Sequence, residues 1–193
     1  MDVEQTQTVQ GEKKDKKNKW IGIVTEVVIY ACLLFVCAYI IPNYVIQRAQ
    51  VSGPSMENTL QNGDNLLVDK ISSRFGDYSR FDIVVFYPYG KEQKDEHFVK
   101  RVIGLPGETI QIKGSDIFVD GKKLKENYGK QAITYQGIAS EPLILGEDEY
   151  FLMGDNREVS YDSRYEEIGP VHKSQIDGRA VVRIWPFQKI GVL

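Results

Sequence analysis

Three short stretches of the sequence combine residue types that could carry out hydrolysis. Ser55 lies between Gly-Pro and Met in the stretch 52–56, and Lys100 lies inside the apolar stretch 98–103. A polar cluster at 154–164 follows an apolar segment and contains serine, aspartate and arginine side chains. Taken alone, each stretch has a simpler explanation, because turn serines, solvent-facing lysines and surface ion pairs are common. Only the combination of the three stretches therefore indicates a specific chemistry.

The two histidines, His97 and His172, give little support to histidine-dependent hydrolysis. The sequence has neither a G-x-S-x-G elbow nor an H-E-x-x-H motif, which argues against an α/β-hydrolase and a zinc protease. His97 and Lys100 are an odd number of residues apart, so they face opposite sides of the predicted strand. A Ser-His-Asp triad is possible, but no feature of the sequence supports it.

A serine–lysine pair requires a lysine that is neutral at the working pH. An ordinary lysine, with a pKa of about 10.4, cannot accept the serine proton, whereas burial can lower that pKa by roughly 3–5. Lys100 shares its strand face with Phe98 and Val102, which is the apolar setting that such a base needs. Its neighbour Arg101 points the other way, and we expect it to stay solvated. We expect the Ser160 hydroxyl to orient the neutral lysine.

Two further charged residues of the polar cluster are expected to support this pair. Asp162 and Arg164 share a strand face if the segment is extended. We expect their charges to neutralise each other and the ion pair to brace the loop.

The remaining sequence predicts a mainly β fold. Of the 193 residues, 26% are charged and 42% hydrophobic, which suits a globular domain with an appendage, and the net charge of -3 argues against nucleic-acid binding. Short β-branched or aromatic segments predict strands, and Asp-Gly within 117–124 predicts a hairpin with a type I′ turn. The predicted strands lie at 65–68, 82–87, 98–103 and 180–185. We expect a loop or small hairpin at 126–146 and exposed turns at 75–80 and 87–96.

An apolar run at 20–41 predicts a membrane anchor. The 21 residues from Ile21 to Ile41, at about 1.5 Å of rise each, match a bilayer core of ~30 Å. Lysines precede the run and no comparable cluster follows it, so residues 1–19 are predicted to be a cytoplasmic basic tail without regular structure. Residues 42–193 are then an exported β-sheet or barrel-like catalytic domain. A cleaved signal peptide fits less well, because its apolar region spans only about 7–15 residues.

Five stretches resemble, in order, the conserved boxes of bacterial type I signal peptidases. They are SGPSMENTL at 52–60, GDNLLVDK at 63–70, RFDIVVF at 80–86, KRVIGLPGE at 100–108 and GDNREVSYDSR at 154–164. The resemblance runs from about Val51 to the C-terminus, and the single anchor resembles the Gram-positive members. The resemblance implies that Ser55 is the nucleophile and Lys100 the general base. It also implies five supporting residues, which are Ser160, Asp162, Arg164, Gly53 and Asp155.

The resemblance also implies an activity. It predicts a single-pass enzyme of the cell membrane, a serine endopeptidase that removes signal peptides from secretory preproteins at the lipid bilayer through an acyl-enzyme. It implies no cofactor, no metal and no nucleic-acid partner. The substrate is expected to lie extended beside an edge strand, with shallow apolar pockets for small side chains.

Two departures from the family pattern concern the turn around the nucleophile. Asn58 stands where many members have proline, which we expect to affect only the stiffness of the turn. Gly53 stands where some members have a serine that completes the oxyanion hole. The Ser55 N–H is then one donor to the oxyanion, and the identity of the second donor stays open.

Because only 13 residues separate Ile41 from Ser55, we also expect an apolar rim against the lipid. Met56 is its first candidate and the segment 185–187 its second, although Trp185 and Phe187 could instead close the β core.

Two alternatives remain open at this stage. The self-cleaving domain of SOS-response repressors also resembles the serine and lysine boxes, but such proteins carry a DNA-binding helical domain where this chain has an anchor. The second alternative is a non-catalytic, membrane-tethered β-domain that binds exported peptides. That domain would have no need of a lysine in an apolar strand paired with a serine.

Overall fold

The computed structural model describes residues 2–71, 76–92, 96–129 and 131–193, and for 2–18 it describes the backbone alone. The chain divides into two compact units, Met1–Tyr44 and Val45–Leu193. The lysine side chains at 13–17, Phe75 and residues 93–95 of the predicted turns lie outside the described residues.

The first unit is helical. Helix α1 spans Asp2–Phe35 and continues as a wider π-helical segment, Val36–Val45, which contains Pro42. Of the residues described, Lys19–Val45 forms the one helix long and apolar enough to cross a membrane, with a mean hydropathy of 2.4. The expectation of a tail without regular structure is wrong, because α1 begins near the N-terminus. The tail is rich in lysine, glutamate and glutamine, which are good helix formers.

The second unit is built of β-strands, and the predicted mainly β fold is confirmed. Twelve strands are described. They are β1 Ile46–Gln50, β2 Asn65–Asp69, β3 Ile83–Phe86, β4 Phe98–Gly104, β5 Thr109–Lys113, β6 Asp116–Val119, β7 Lys122–Lys123, β8 Leu143–Ile144, β9 Glu149–Met153, β10 Val171–His172, β11 Ile176–Trp185 and β12 Gly191–Val192. Short 3-10 turns lie at Gly137–Ser140, Lys173–Gln175 and Phe187–Lys189.

The larger sheet has the strand order β1-β2-β11-β3-β4-β9-β10, with β12 paired to β11. All its pairings are antiparallel. Strand β4 pairs with β3 along Phe98–Arg101, but β9 joins it only from Arg101 onward. Of the strands described, none covers the second edge of Phe98–Lys100, so this short stretch of backbone is open.

The smaller sheet has the order β7-β6-β5-β8. Its hairpin turns at Asp120-Gly121, where both residues have positive φ angles of 49° and 73°, as the type I′ prediction requires. The segment 126–146 is a loop that ends in β8 and pairs with β5, so it does not form a hairpin of its own.

Three apolar clusters hold the strands together. One lies under the Ser55 turn and includes Met56, Leu60 and Leu66, all fully buried. A second joins the smaller sheet to β9, and a third packs β3, β4 and β9 against Val171 and Ile176. Tyr78 belongs to the third cluster, edge to face with Tyr150, so the predicted exposed turn at 75–80 is wrong at that residue.

Candidate active site

Ser55 begins a tight turn that follows β1. Gly53 has a φ of +84°, a conformation that favours glycine, and its N–H donates to Asn62 Oδ1 at 3.0 Å. The turn closes after Ser55 through the Leu60 N–H, which donates to the Met56 carbonyl at 2.8 Å. Among the described residues, no acceptor is bonded to the Ser55 N–H, whereas the Gly53 N–H is already engaged.

Lys100 meets Ser55 from the open end of β4. Its Nζ donates to Ser55 Oγ at 2.8 Å and to the Val99 carbonyl at 3.2 Å, and it lies 5.1 Å from the centre of the Phe98 ring. Only 3% of Lys100 is exposed. Burial lowers the pKa of Lys100 to about 8, against the opposing effect of the Asp162 charge, which raises the pKa. About a tenth of this lysine is therefore neutral at pH 7, far more than of an ordinary lysine.

Ser160 is close to the pair but does not complete it. Its hydroxyl is buried and has no hydrogen-bond partner among the described residues, so the expected bond to Lys100 is not formed in this structure. The hydroxyl lies against Gly154, where a Cβ would also collide with the Ser55 carbonyl. That carbonyl accepts from the Asn156 N–H at 3.0 Å. Gly154 thus lets the cluster approach the Ser55 backbone closely.

Asp162 and Arg164 form the predicted ion pair, and both side chains are buried. Arg164 Nε donates to Asp162 Oδ1 at 2.8 Å, and Asp162 Oδ2 accepts from the Gly154 N–H at 3.0 Å. Arg164 also donates to the carbonyls of Ser160 and Arg157 at 3.0 and 2.9 Å. The residues lie in a turn, so the shared face of an extended segment is the wrong reason for their contact.

Arg101 and Asp155 form a second buried ion pair, which the sequence did not predict. Arg101 Nε and Nη2 donate to the two Asp155 oxygens at 2.8 and 2.6 Å, and Thr59 Oγ1 donates to Asp155 Oδ2. Arg101 is only 3% exposed, so the expectation that it stays solvated is wrong. The position of β4 between β3 and β9 explains this, because a central strand can be covered on both faces.

A segment from outside the predicted boxes also reaches this region. The Tyr128 ring lies over the Arg101 guanidinium, 3.6 Å from its centre to Arg101 Cζ. Glu126 accepts from both terminal nitrogens of Arg157 at 2.6 and 2.7 Å. Because the segment lies in a stretch without a recognisable pattern, the sequence offered no signal for these contacts.

Two expectations about the surface around Ser55 are wrong. Met56 is fully buried, so it cannot form an exposed rim. Asn58 has a φ of +86°, which proline cannot adopt, so its presence changes the path of the turn as well as its stiffness. Trp185 and Phe187 are 47% and 68% exposed, which argues against the alternative that they close the core.

A cleft of about 200 Å³ opens at Ser55 between the chain at 50–56 and the open edge at 97–100. His97, Val159 and Tyr161 contribute to its walls. Within the described part of the chain, no three His, Cys, Asp or Glu side chains are grouped so that they could hold a metal ion.

A serine hydroxyl bonded to a buried lysine beside an open strand edge is the arrangement of a serine–lysine hydrolase. The family described as signal peptidase, peptidase S26, matches residues 23–185. A probable signal peptidase I-2 from Synechocystis sp. is 36% identical over 190 residues, 97% of this chain and 83% of that protein. Signal peptidase I from Leptolyngbya laminosa is 41% identical over 166 residues, 83% of this chain and 79% of that protein.

Similarity extends to Gram-positive bacteria. Signal peptidase I P from Bacillus subtilis subsp. natto is 36% identical over 188 residues, 93% of this chain and 96% of that protein. A crystal structure of a signal peptidase I from Enterococcus faecalis is 33% identical and covers 53% of this chain and 95% of that one, with a TM-score of 0.42. The chain belongs to the signal peptidase family, peptidase S26, and is a serine endopeptidase. The resemblance inferred from the boxes is confirmed, which favours the peptidase over the repressor-like alternative.

Proposed function

We propose that this chain removes N-terminal signal peptides from secretory preproteins at a membrane, with Ser55 as nucleophile and Lys100 as general base. The observation that carries the proposal is the 2.8 Å contact between Lys100 Nζ and Ser55 Oγ, made by a lysine that is 3% exposed. Once Lys100 has lost its proton, the direction of this hydrogen bond reverses and the Ser55 hydroxyl donates to Nζ.

The reaction starts when Ser55 Oγ attacks the scissile carbonyl and its proton moves to Lys100 Nζ. The oxyanion that forms is stabilised by the free Ser55 N–H. Collapse breaks the C–N bond, the leaving amine takes the proton from Lys100, and an acyl-enzyme remains. A water molecule then gives a proton to Lys100 and attacks the ester. The second collapse releases the carboxyl product and returns the proton to Ser55 Oγ.

The cleft supports an extended substrate. The uncovered edge of Phe98–Lys100 can accept main-chain hydrogen bonds from a peptide strand. The cleft volume of about 200 Å³ suits small side chains next to the cut bond. We infer that the helix Lys19–Val45 crosses the bilayer with the lysine-rich tail in the cytoplasm, because positive flanks stay on that side. Residues 42–193 then lie outside, where exported precursors arrive.

The test is cleavage of a signal-bearing precursor by the full chain in detergent micelles. Ser55→Ala and Lys100→Ala should each abolish the defined shorter product, and the double variant should be little worse, because coupled catalytic residues are not additive. Lys100→Arg should fail as well, since a guanidinium stays protonated. Lys113→Ala, at an exposed lysine of β5, is the matched control.

Each outcome separates the candidate functions. Wild-type activity in Lys100→Ala would exclude the dyad. Cleavage of this chain itself, with the precursor left intact, would favour a repressor-like self-cleaving protease. Precursor binding without any product would favour a non-catalytic peptide-binding domain.

A further inference from the structure

The segment Glu126–Gly129 packs against the side of β4 that faces away from Ser55. It follows β7 and belongs to neither sheet. Its Tyr128 ring centre lies 3.6 Å from Arg101 Cζ, so the ring covers the flat face of the guanidinium. At this distance a cation–aromatic contact is favourable, and it is stronger when the cation is removed from water.

The edges of the same guanidinium are also occupied. Its nitrogens donate to both oxygens of Asp155, to Thr59 Oγ1 and to the Phe81 carbonyl. The hydrogen bonds fix Arg101 within its own plane, whereas the Tyr128 ring covers it from above. The ring therefore shields that face of the guanidinium from water.

Tyr128 is itself held firmly. Its neighbour Glu126 forms a two-pronged ion pair with buried Arg157. Gly129 has a φ of +64°, and a Cβ there would lie 2.5 Å from Arg157 Cζ, so the backbone presses directly on this arginine. On the other side, the Tyr128 and Phe81 ring centres are 5.3 Å apart. These contacts hold the half-buried Tyr128 ring in place over Arg101.

We propose that Tyr128 is a positioning residue for the reaction: by covering the Arg101 guanidinium, it holds the Arg101–Asp155 ion pair in a dry, neutral state next to Lys100. This inference rests on the proposed function of the Ser55–Lys100 pair. Tyr128 contacts neither Ser55 nor the cleft at Ser55, so it acts through Arg101 and Asp155 alone.

The consequence for Lys100 follows from the charges around it. The charges that act on Lys100 come from the polar cluster after β9, and they are the carboxylates of Asp162 and Asp155 and the guanidinium of Arg164. His97 and Tyr161 line the cleft beside Lys100, whereas Arg101 lies on the opposite face of β4. The Asp162 carboxylate raises the pKa of Lys100 and is offset by Arg164, and the Asp155 carboxylate raises it more weakly and is paired with Arg101. If Arg101 becomes hydrated and mobile, Lys100 experiences more of the Asp155 charge and is neutral less often at pH 7.

The experiment measures the pH dependence of precursor cleavage by the full chain between pH 6 and 10.5. Tyr128→Leu removes the aromatic ring over Arg101. Tyr128→Met is made in parallel, because the flexible methionine side chain can fill the space that the ring leaves. We expect kcat at pH 7 to fall by about three- to tenfold, as a lost cation–aromatic contact allows. The deficit should vanish near pH 10, where Lys100 is neutral in every variant, and KM should stay the same.

Two controls define the role of the ring. Tyr128→Phe keeps the ring and should match wild type. Phe118→Leu removes a similar aromatic contact to a lysine, Lys113, in the smaller sheet, and should leave the pH profile unchanged.

The results distinguish this inference from the proposed function. A deficit that is equal at every pH, or none at all, in a variant whose thermal midpoint shows it to be folded overturns the positioning role of Tyr128. Precursor cleavage at the wild-type rate by the Ser55→Ala variant overturns the proposed function instead. Arg101→Lys keeps the charge without the flat face, so it should show the same pH-dependent deficit, and adding Tyr128→Leu to it should not move the profile further.

Discussion

Replacement of Lys100 by methionine should abolish cleavage and yet stabilise the fold at neutral pH. Burial lowers the pKa of Lys100 from its ordinary 10.5 to about 8. Below about pH 8 the folded chain therefore holds a charged lysine that the unfolded chain keeps in water, and the full penalty is present. As the pH rises from about 8 to 10.5, the unfolded state binds more protons than the folded one, so stability increases with pH. Methionine, which is similar in length and uncharged, never experiences this penalty.

The size of the effect follows from the two pKa values. The interval from about 8 to 10.5, at about 1.4 kcal/mol per pH unit, corresponds to about 3 kcal/mol of unfolding free energy at pH 7. Methionine also loses the hydrogen bonds to Ser55 Oγ and the Val99 carbonyl, which are worth about 1 kcal/mol each. The expected net gain at pH 7 is about 1–2 kcal/mol, or roughly 2–8 °C in thermal midpoint for a chain of this size. By pH 10 the difference should have moved by about 2.5 kcal/mol, so that the methionine variant becomes the less stable of the two by about 1 kcal/mol.

The measurement is thermal unfolding of the full chain in neutral detergent micelles at pH 7 and pH 10, followed by near-ultraviolet circular dichroism. Other lysines and tyrosines titrate over this range, so only the difference between the variant and wild type is compared. Lys113→Met replaces an exposed lysine and should show no comparable change with pH. A Lys100→Met chain that is less stable than wild type at pH 7, or a difference that is the same at both pH values, would refute burial as the cause of the lowered pKa.

Three further substitutions test the turn around Ser55 and the polar cluster. Gly154→Ala should reduce precursor cleavage by about 100-fold, because its Cβ displaces the Ser160 hydroxyl and the Ser55 carbonyl, whereas Gly191→Ala, which meets no atom within 4 Å, should match wild type. Asn58→Pro should lower the unfolding free energy by about 1–3 kcal/mol in chemical denaturation, because proline cannot adopt a φ of +86°, while Asn58→Gly should be tolerated. Ser160→Ala removes a buried hydroxyl without a partner, so the thermal midpoint should be kept or raised, and the rate should fall only through an orienting bond to Lys100 that forms during the reaction. Equal rates in Ser160→Ala and wild type at every pH would mean that this hydroxyl does not orient Lys100.

The sequence predicted the elements whose signals are local. Strands β2, β3 and β4 lie within a residue or so of their β-branched runs, and the Asp120-Gly121 turn has the predicted positive φ angles. The apolar environment of Lys100 could also be predicted, because side-chain alternation on one strand places it with Phe98 and Val102. In each of these cases the deciding interaction lies within a few residues along the chain.

The sequence could not predict interactions between distant segments. Arg101 pairs with Asp155, 54 residues away, and is covered by Tyr128 from an unpatterned segment. Met56 was placed at the surface because it follows the nucleophile, yet the turn directs it into the core beside Leu60. The positive φ of Asn58 could not be predicted from the sequence either, because it is required by the path of the whole turn.

The two buried ion pairs explain how a polar cluster can surround a lysine that must lose its proton. A lone carboxylate near Lys100 would raise its pKa and cancel the effect of burial. In this site each carboxylate is matched by a guanidinium, Asp162 by Arg164 and Asp155 by Arg101, and all four side chains are at most 3% exposed. The pairs therefore add little net charge while their hydrogen bonds hold Gly154 and the Ser55 turn in place. Removal of one partner should thus have two effects, a lower stability from the unpaired charge and a displaced pH profile, whose direction is set by the sign of the charge that remains.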